Sequence, residues 1–204
     1  MKRLLLVLVA MFVVAGAAFA LDGTGKITVT VNAQASVAVS TDSVYNSLSP
    51  TPTIDFGWAQ TGVTCISGKA FYVWNTSASG SSAVQKYTLA AAIANTGGTG
   101  WTLGTTWDGT STGASIDKMV EAVMFKTVAP TVYDATCIVP GTAQAWDATH
   151  FQLSGDYALT HGNTTAGTPT SRLLWPAIMT PSASSTGTGA THTVTFTLVA
   201  SLAG

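Results

Sequence analysis

KITVTVNAQASVAVS, Lys26 to Ser40, alternates without a slip. Its odd positions, Ile27, Val29, Val31, Ala33, Ala35, Val37 and Val39, are all apolar, and its even positions are mostly Thr, Asn, Gln and Ser. A period of two is the mark of a β-strand with one face buried and one face wet. Fifteen residues would run about 50 Å, far beyond the usual strand of five or six. Such length has two ordinary outcomes. Either the chain bends and crosses from one sheet to another, or part of it leaves the domain and adds to a neighbour's sheet. In the second case Ile27, Val29 and Val31 are the candidate strand-donor side chains, filling pockets while the backbone completes a ladder. Charge guards natural sheet edges, and only Lys26 does so here.

Working outward, the last stretch mirrors the first. Val194, Phe196, Leu198 and Ala200 fall on one face of Thr191–Ser201, and Thr193, Thr195 and Thr197 on the other. Further β-prone runs lie at Thr53–Trp58, Lys69–Asn75, Gln85–Ile93, Met119–Lys126 and Ser171–Ile178, with weaker ones at Val132–Val139 and Phe151–Leu159. Ser-, Thr- and Gly-rich segments at 77–82, 95–100, 108–113 and 182–190 separate them as loops. The best helical candidate, Ile116–Phe125, suits a strand equally well. This pattern predicts an all-β fold, an antiparallel immunoglobulin-like β-sandwich of about seven to nine strands.

Before the first strand, Met1–Ala20 reads as a signal peptide: basic Lys2 and Arg3, an apolar run, and the small-x-small ending Ala18-Phe19-Ala20. Residues 21–204 then form a single β-sandwich domain, secreted or held at a cell surface, with no membrane span after signal cleavage. Only 8% of the chain is charged, against about 25% in ordinary soluble domains. With no basic cluster to displace phosphate counterions, nucleic-acid binding is not expected. Weak mutual repulsion suits a protein that associates with itself or with other envelope proteins.

Cys65 and Cys137 are the only cysteines. In an exported chain they are a candidate disulfide, contributing roughly 4 kcal/mol on the chain-entropy model. Chemistry is thin elsewhere. Gly109-Thr110-Ser111-Thr112-Gly113 spells Gly-x-Ser-x-Gly but falls in a Ser/Thr/Gly-rich loop and is not read as a nucleophile elbow, Glu121 is the single glutamate, and His150, His161 and His192 have no metal-ligand spacing. The acidic stretch Asp108–Asp117 lacks the order of a calcium loop. A non-enzyme without cofactor or metal is expected. Aromatics offer more: Phe71-Tyr72-Val73-Trp74 puts large rings on both faces of one strand. Tyr72, Trp74, Trp101 and Trp107, with Asp108, form a candidate ligand-binding set that could stack on sugar rings.

Several segments together carry a family resemblance. Ile54-Asp55-Phe56-Gly57, then Gly100-Trp101-Thr102-Leu103, and last Thr193-Val194-Thr195-Phe196-Thr197-Leu198 follow the order seen in bacterial secreted immunoglobulin-like surface domains. The chain most resembles the WxL surface-protein domain: Trp101-Thr102-Leu103 matches its first Trp-x-Leu, while Phe196-Thr197-Leu198 stands where the family has a second. The resemblance implies a non-catalytic sandwich at a bacterial surface.

Two functions follow as expectations. The first is an exported structural protein that assembles by N-terminal β-strand addition. The alternative is a module binding cell-wall glycan or peptidoglycan through exposed aromatics.

Overall fold

The computed structural model describes residues 24–34, 37–43, 51–75, 85–96, 100–107, 116–145, 150, 171–185 and 190–202. The leader-like segment, the expected strand at 151–159, Asp108, Trp146 and His161 lie outside them. Among the described residues there are eleven strands: β1 (Thr24–Gln34), β2 (Val37–Ser40), β3 (Thr53–Gln60), β4 (Thr64–Ile66), β5 (Phe71–Asn75), β6 (Gln85–Thr96), β7 (Thr102–Leu103), β8 (Lys118–Phe125), β9 (Gln144–Ala145), β10 (Ser171–Met179) and β11 (Ala190–Leu202). They form two sheets, one ordered β3-β1-β11-β6-β9, the other β2-β5-β10-β8-β7 with β4 also paired to β10.

The long opening alternation is divided between the sheets. β1 lies in the first sheet and β2 in the second. Parity holds through the crossing, so Ile27, Val29, Val31, Val37 and Val39 all enter one core. Across from them stand Leu89, Val194, Phe196 and Leu198 of the first sheet and Phe71, Val73, Met119, Val123, Phe125, Leu174 and Ile178 of the second. Burying each such side chain contributes about 1.5–3 kcal/mol.

The all-β sandwich expected from the sequence is present, but a wholly antiparallel one is not. β1 runs parallel to β11, and β7 parallel to β8. A parallel pair cannot be closed by a hairpin. For β1 and β11 the connection is nearly the whole chain, and so no local signal announced it. The expected strand at Val132–Val139 is a 3-10 turn, Ala135–Cys137, capped by Asp134, followed by a single bridge from Ile138 to Ala122.

That segment gives the second sheet a third layer. Its Tyr133 and Cys137 join Trp107 over Val120, Ala122, Met124, Ala177 and Met179 on the outer face of β8 and β10. Trp107 Nε1 donates to Tyr133 O (3.0 Å), Tyr133 Oη to Trp175 O (3.1 Å) and Trp175 Nε1 to Lys126 O (2.9 Å). β8 is consequently buried on both faces, which explains its near-continuous apolar sequence.

Proline in a central strand normally forfeits a ladder bond. Pro176 avoids this by its position. β5 pairs with Ser171–Leu174 and β4 with Ala177–Met179, so Pro176 lies where one neighbour gives way to the next. Its carbonyl accepts from Ser67 N on that side, and its missing N–H would have pointed the same way.

Candidate functional site

The strand expected to reach a neighbour is an interior strand of its own sheet. β1 pairs with β11 along ten positions and with β3 on its other edge, and Ile27, Val29 and Val31 are wholly buried. The donor side chains therefore fill a slot between β3 and β11 within the chain, and the expectation of an unguarded free edge is corrected. On the outer face the same ladder is tied by hydroxyls, Thr28 to Thr193 (3.2 Å) and Thr30 to Thr53 (3.0 Å). The true edge, β3, carries the protection that β1 lacks. Gly57 has φ +72°, Asp55 Oδ1 accepts its N–H (2.7 Å), and the register with β1 shifts between Ile27 and Thr28. This is a glycine bulge, which twists an edge away from further pairing. It accounts physically for Asp55-Phe56-Gly57.

Cys65 and Cys137 are free thiols, which corrects the expected disulfide. Cys65 on β4 lies opposite Ile178 and packs against the core between the sheets. Cys137 belongs to the outer layer beneath the 3-10 turn. A bond between them would have to pass through the second sheet. Burial pushes the Cys65 thiol up, and burial beside Asp134 raises Cys137 to about 11.

The aromatic set is dispersed and mostly covered. Trp74, Trp101 and Trp107 are buried, Tyr72 is half-buried and stacks with Trp74 at 6.4 Å, and Asp108 lies outside the described residues. Three tryptophans expected to meet ligand are structural instead. The reason differs in each case: Trp107 is roofed by Tyr133, Trp101 belongs to the core between the sheets and stacks on His192, and Trp74 lies on β5 between β2 and β10. Among the described residues, the exposed tryptophan is Trp58 on the β3 edge, at 61%.

Around Trp101 a polar clasp joins four chain segments. Its indole lies flat on the His192 ring (3.9 Å, 8°) and donates to Ser184 Oγ (3.2 Å). Asn95 Nδ2 donates to Trp101 O (3.0 Å), which turns the amide oxygen toward His192 Nδ1 (2.6 Å) and makes Nδ1 the donor. Beside it Asp117, at φ 57°, donates its N–H to Ala183 O, while its carboxylate accepts from Ser185 N (2.8 Å) and Ser185 Oγ. Burial lowers the His192 pKa. Ser184 and His192 are thus both engaged with other partners, and the arrangement ties β6, β7 and β11 to the 183–185 loop. In the sequence His192 is marked only by its lack of metal-ligand spacing. Its stacking on a residue 91 positions away left no local trace.

Two other features stand apart. A surface cleft of about 330 Å³ is lined by Thr105, Thr136, Ile138, Pro140, Gln144 and His150, where the chain after the 3-10 turn crosses toward β9. Glu121, in the middle of β8, is completely buried, and neither carboxyl oxygen has a hydrogen-bond partner among the described residues. Among the described residues no three His, Cys, Asp or Glu side chains gather in a metal-binding group. No helix there is long and apolar enough to cross a membrane. No protein-family model matches the chain, and no curated protein is significantly similar to it.

Proposed function

We propose that this chain is a non-catalytic, exported structural protein of a cell surface or extracellular layer, an immunoglobulin-like sandwich that joins its copies by exchanging β1. The observation that carries the reading is the position of β1. Among the described residues it is the first strand, it is followed in the chain by β2 of the other sheet, and it fills a slot between two strands that come from other parts of the sequence. Exchange between copies would preserve every contact that Ile27, Val29 and Val31 make at home, so it costs little beyond the hinge. The leader-like Met1–Ala20 supports export, and the low charge supports association.

The test uses the register of Thr28 with Thr193, which are opposed across β1 and β11. One chain carries Thr28→Cys and another Thr193→Cys, both with Cys65→Ala and Cys137→Ala, and the two are refolded together. Disulfide-linked pairs of different chains are expected. If linkage forms only when both substitutions are in the same chain, β1 stays at home and the assembly reading fails.

A further inference from the structure

Glu121 occupies a place that should belong to an aliphatic side chain. Along β8 it shares a face with Met119 and Val123, toward the core between the sheets, while Val120, Ala122 and Met124 face the outer layer. Across the second sheet its row reads Cys65, Ile178, Glu121, with Val139 beside it, since Val139 N donates to Glu121 O and Ile138 bridges Ala122. Met119, Val123, Ile178 and Val139 are all buried members of one apolar core. A carboxylate stripped of water and left without partners costs several kcal/mol, and the usual escape is to keep its proton. Burial accordingly holds this carboxyl well above the usual carboxylate range.

Among the described residues, nothing packed against it supplies a compensating charge. The core face of the first sheet opposite is Ile27, Val29, Val31, Leu89, Ala91, Val194, Phe196 and Leu198, with His192 at the clasp end. From β10 comes Ile178 and from β4 Cys65. The outer layer brings Tyr133 and Cys137, both acids whose own burial favours the neutral form. Lys118 and Lys126 flank the two ends of β8, one exposed and one half-exposed.

We infer that Glu121 is a proton latch: the folded sandwich retains one proton in its core that the unfolded chain gives up, so the fold is favoured in acid and loosened by base. The sign follows from linkage. Below the ordinary glutamate range, about pH 4.3, both states are protonated and the full stability is present. Above it the unfolded chain ionises while the folded one does not. The unfolding constant then rises up to tenfold per pH unit until the folded carboxyl itself ionises. Glutamine at this position would carry no such dependence.

Glu121 is the only glutamate in the chain, so isotope-labelled glutamate reports one carboxyl without any substitution. Nuclear magnetic resonance of the labelled full chain should show that carboxyl neutral at pH 7 in the folded protein and ionised in denaturant. Denaturation of wild type and Glu121→Gln at pH 5, 7 and 9 should then show a gap that grows with pH in favour of the variant. A folded-state carboxyl that titrates in the ordinary range overturns the inference, whether or not Glu121→Gln folds. Equal pH slopes in the two proteins overturn it as well.

Discussion

Trp101 shows how much one side chain can hold. Its ring covers His192 and its indole N–H is taken by Ser184, so Trp101→Phe keeps a ring over the imidazole but deletes the buried hydrogen bond from the indole to Ser184 Oγ. A loss of about 1–3 kcal/mol is expected from chemical denaturation. The side chain of Asn95 packs so closely on Gly100 that a Cβ there would overlap it, which explains a glycine immediately before the tryptophan. His192 gives the clasp a pH dependence of definite sign. Its folded pKa lies below 6.5, so its contribution is fully present above that value and is lost as pH falls through the folded value. From pH 7.5 to pH 5.5 the buried Glu121 favours the fold in both proteins while His192 opposes it only in wild type, so wild type should gain less stability over that interval than His192→Phe.

At the scale of elements, the bulge on β3 has a backbone cost of its own. Gly57 has open space where a Cβ would go, yet its φ of +72° strains any other residue. Gly57→Ala should therefore lose about 1 kcal/mol or slightly more in equilibrium unfolding, through conformation and not through a clash. Strand faces were readable in advance because alternation reports burial directly: Ile27, Val29, Val31, Val194, Phe196 and Leu198 all lie on the inner side. Strand partners were not. Alternation says which side of a strand is wet and nothing about which strand lies beside it. The parallel union of β1 with β11 had no trace in either segment. The tryptophans misled for a related reason. Trp107 is apolar in a loop-like setting, and only the fold of residues 126–140 over β8 and β10 shows that it is roofed.

The whole molecule is a sandwich with an extra layer, and its two thiols report that arrangement. Cys65 and Cys137 lie on opposite faces of one sheet, so denatured, unreduced protein should titrate with two free thiols per chain. A value near zero would require a different packing of the second sheet. The candidate site was legible only in part. Glu121 stood out as the single glutamate, but its isolation depends on Ile178 and Val139, which reach it from distant parts of the sequence.

The pairing of β1 with β11 bears on how the molecule would carry load. Both strands run the same way, so Thr24 lies at one end of the ladder and Leu202 at the other. A pull applied through these two residues drags the strands past each other lengthwise. The rungs between them must then yield together instead of opening one after another like a zipper. A tether strained through its ends is strongest in that geometry. Stretching single molecules between residues 24 and 202 should need a larger rupture force than pulling between residues 24 and 60, where β1 and antiparallel β3 can peel apart from one end.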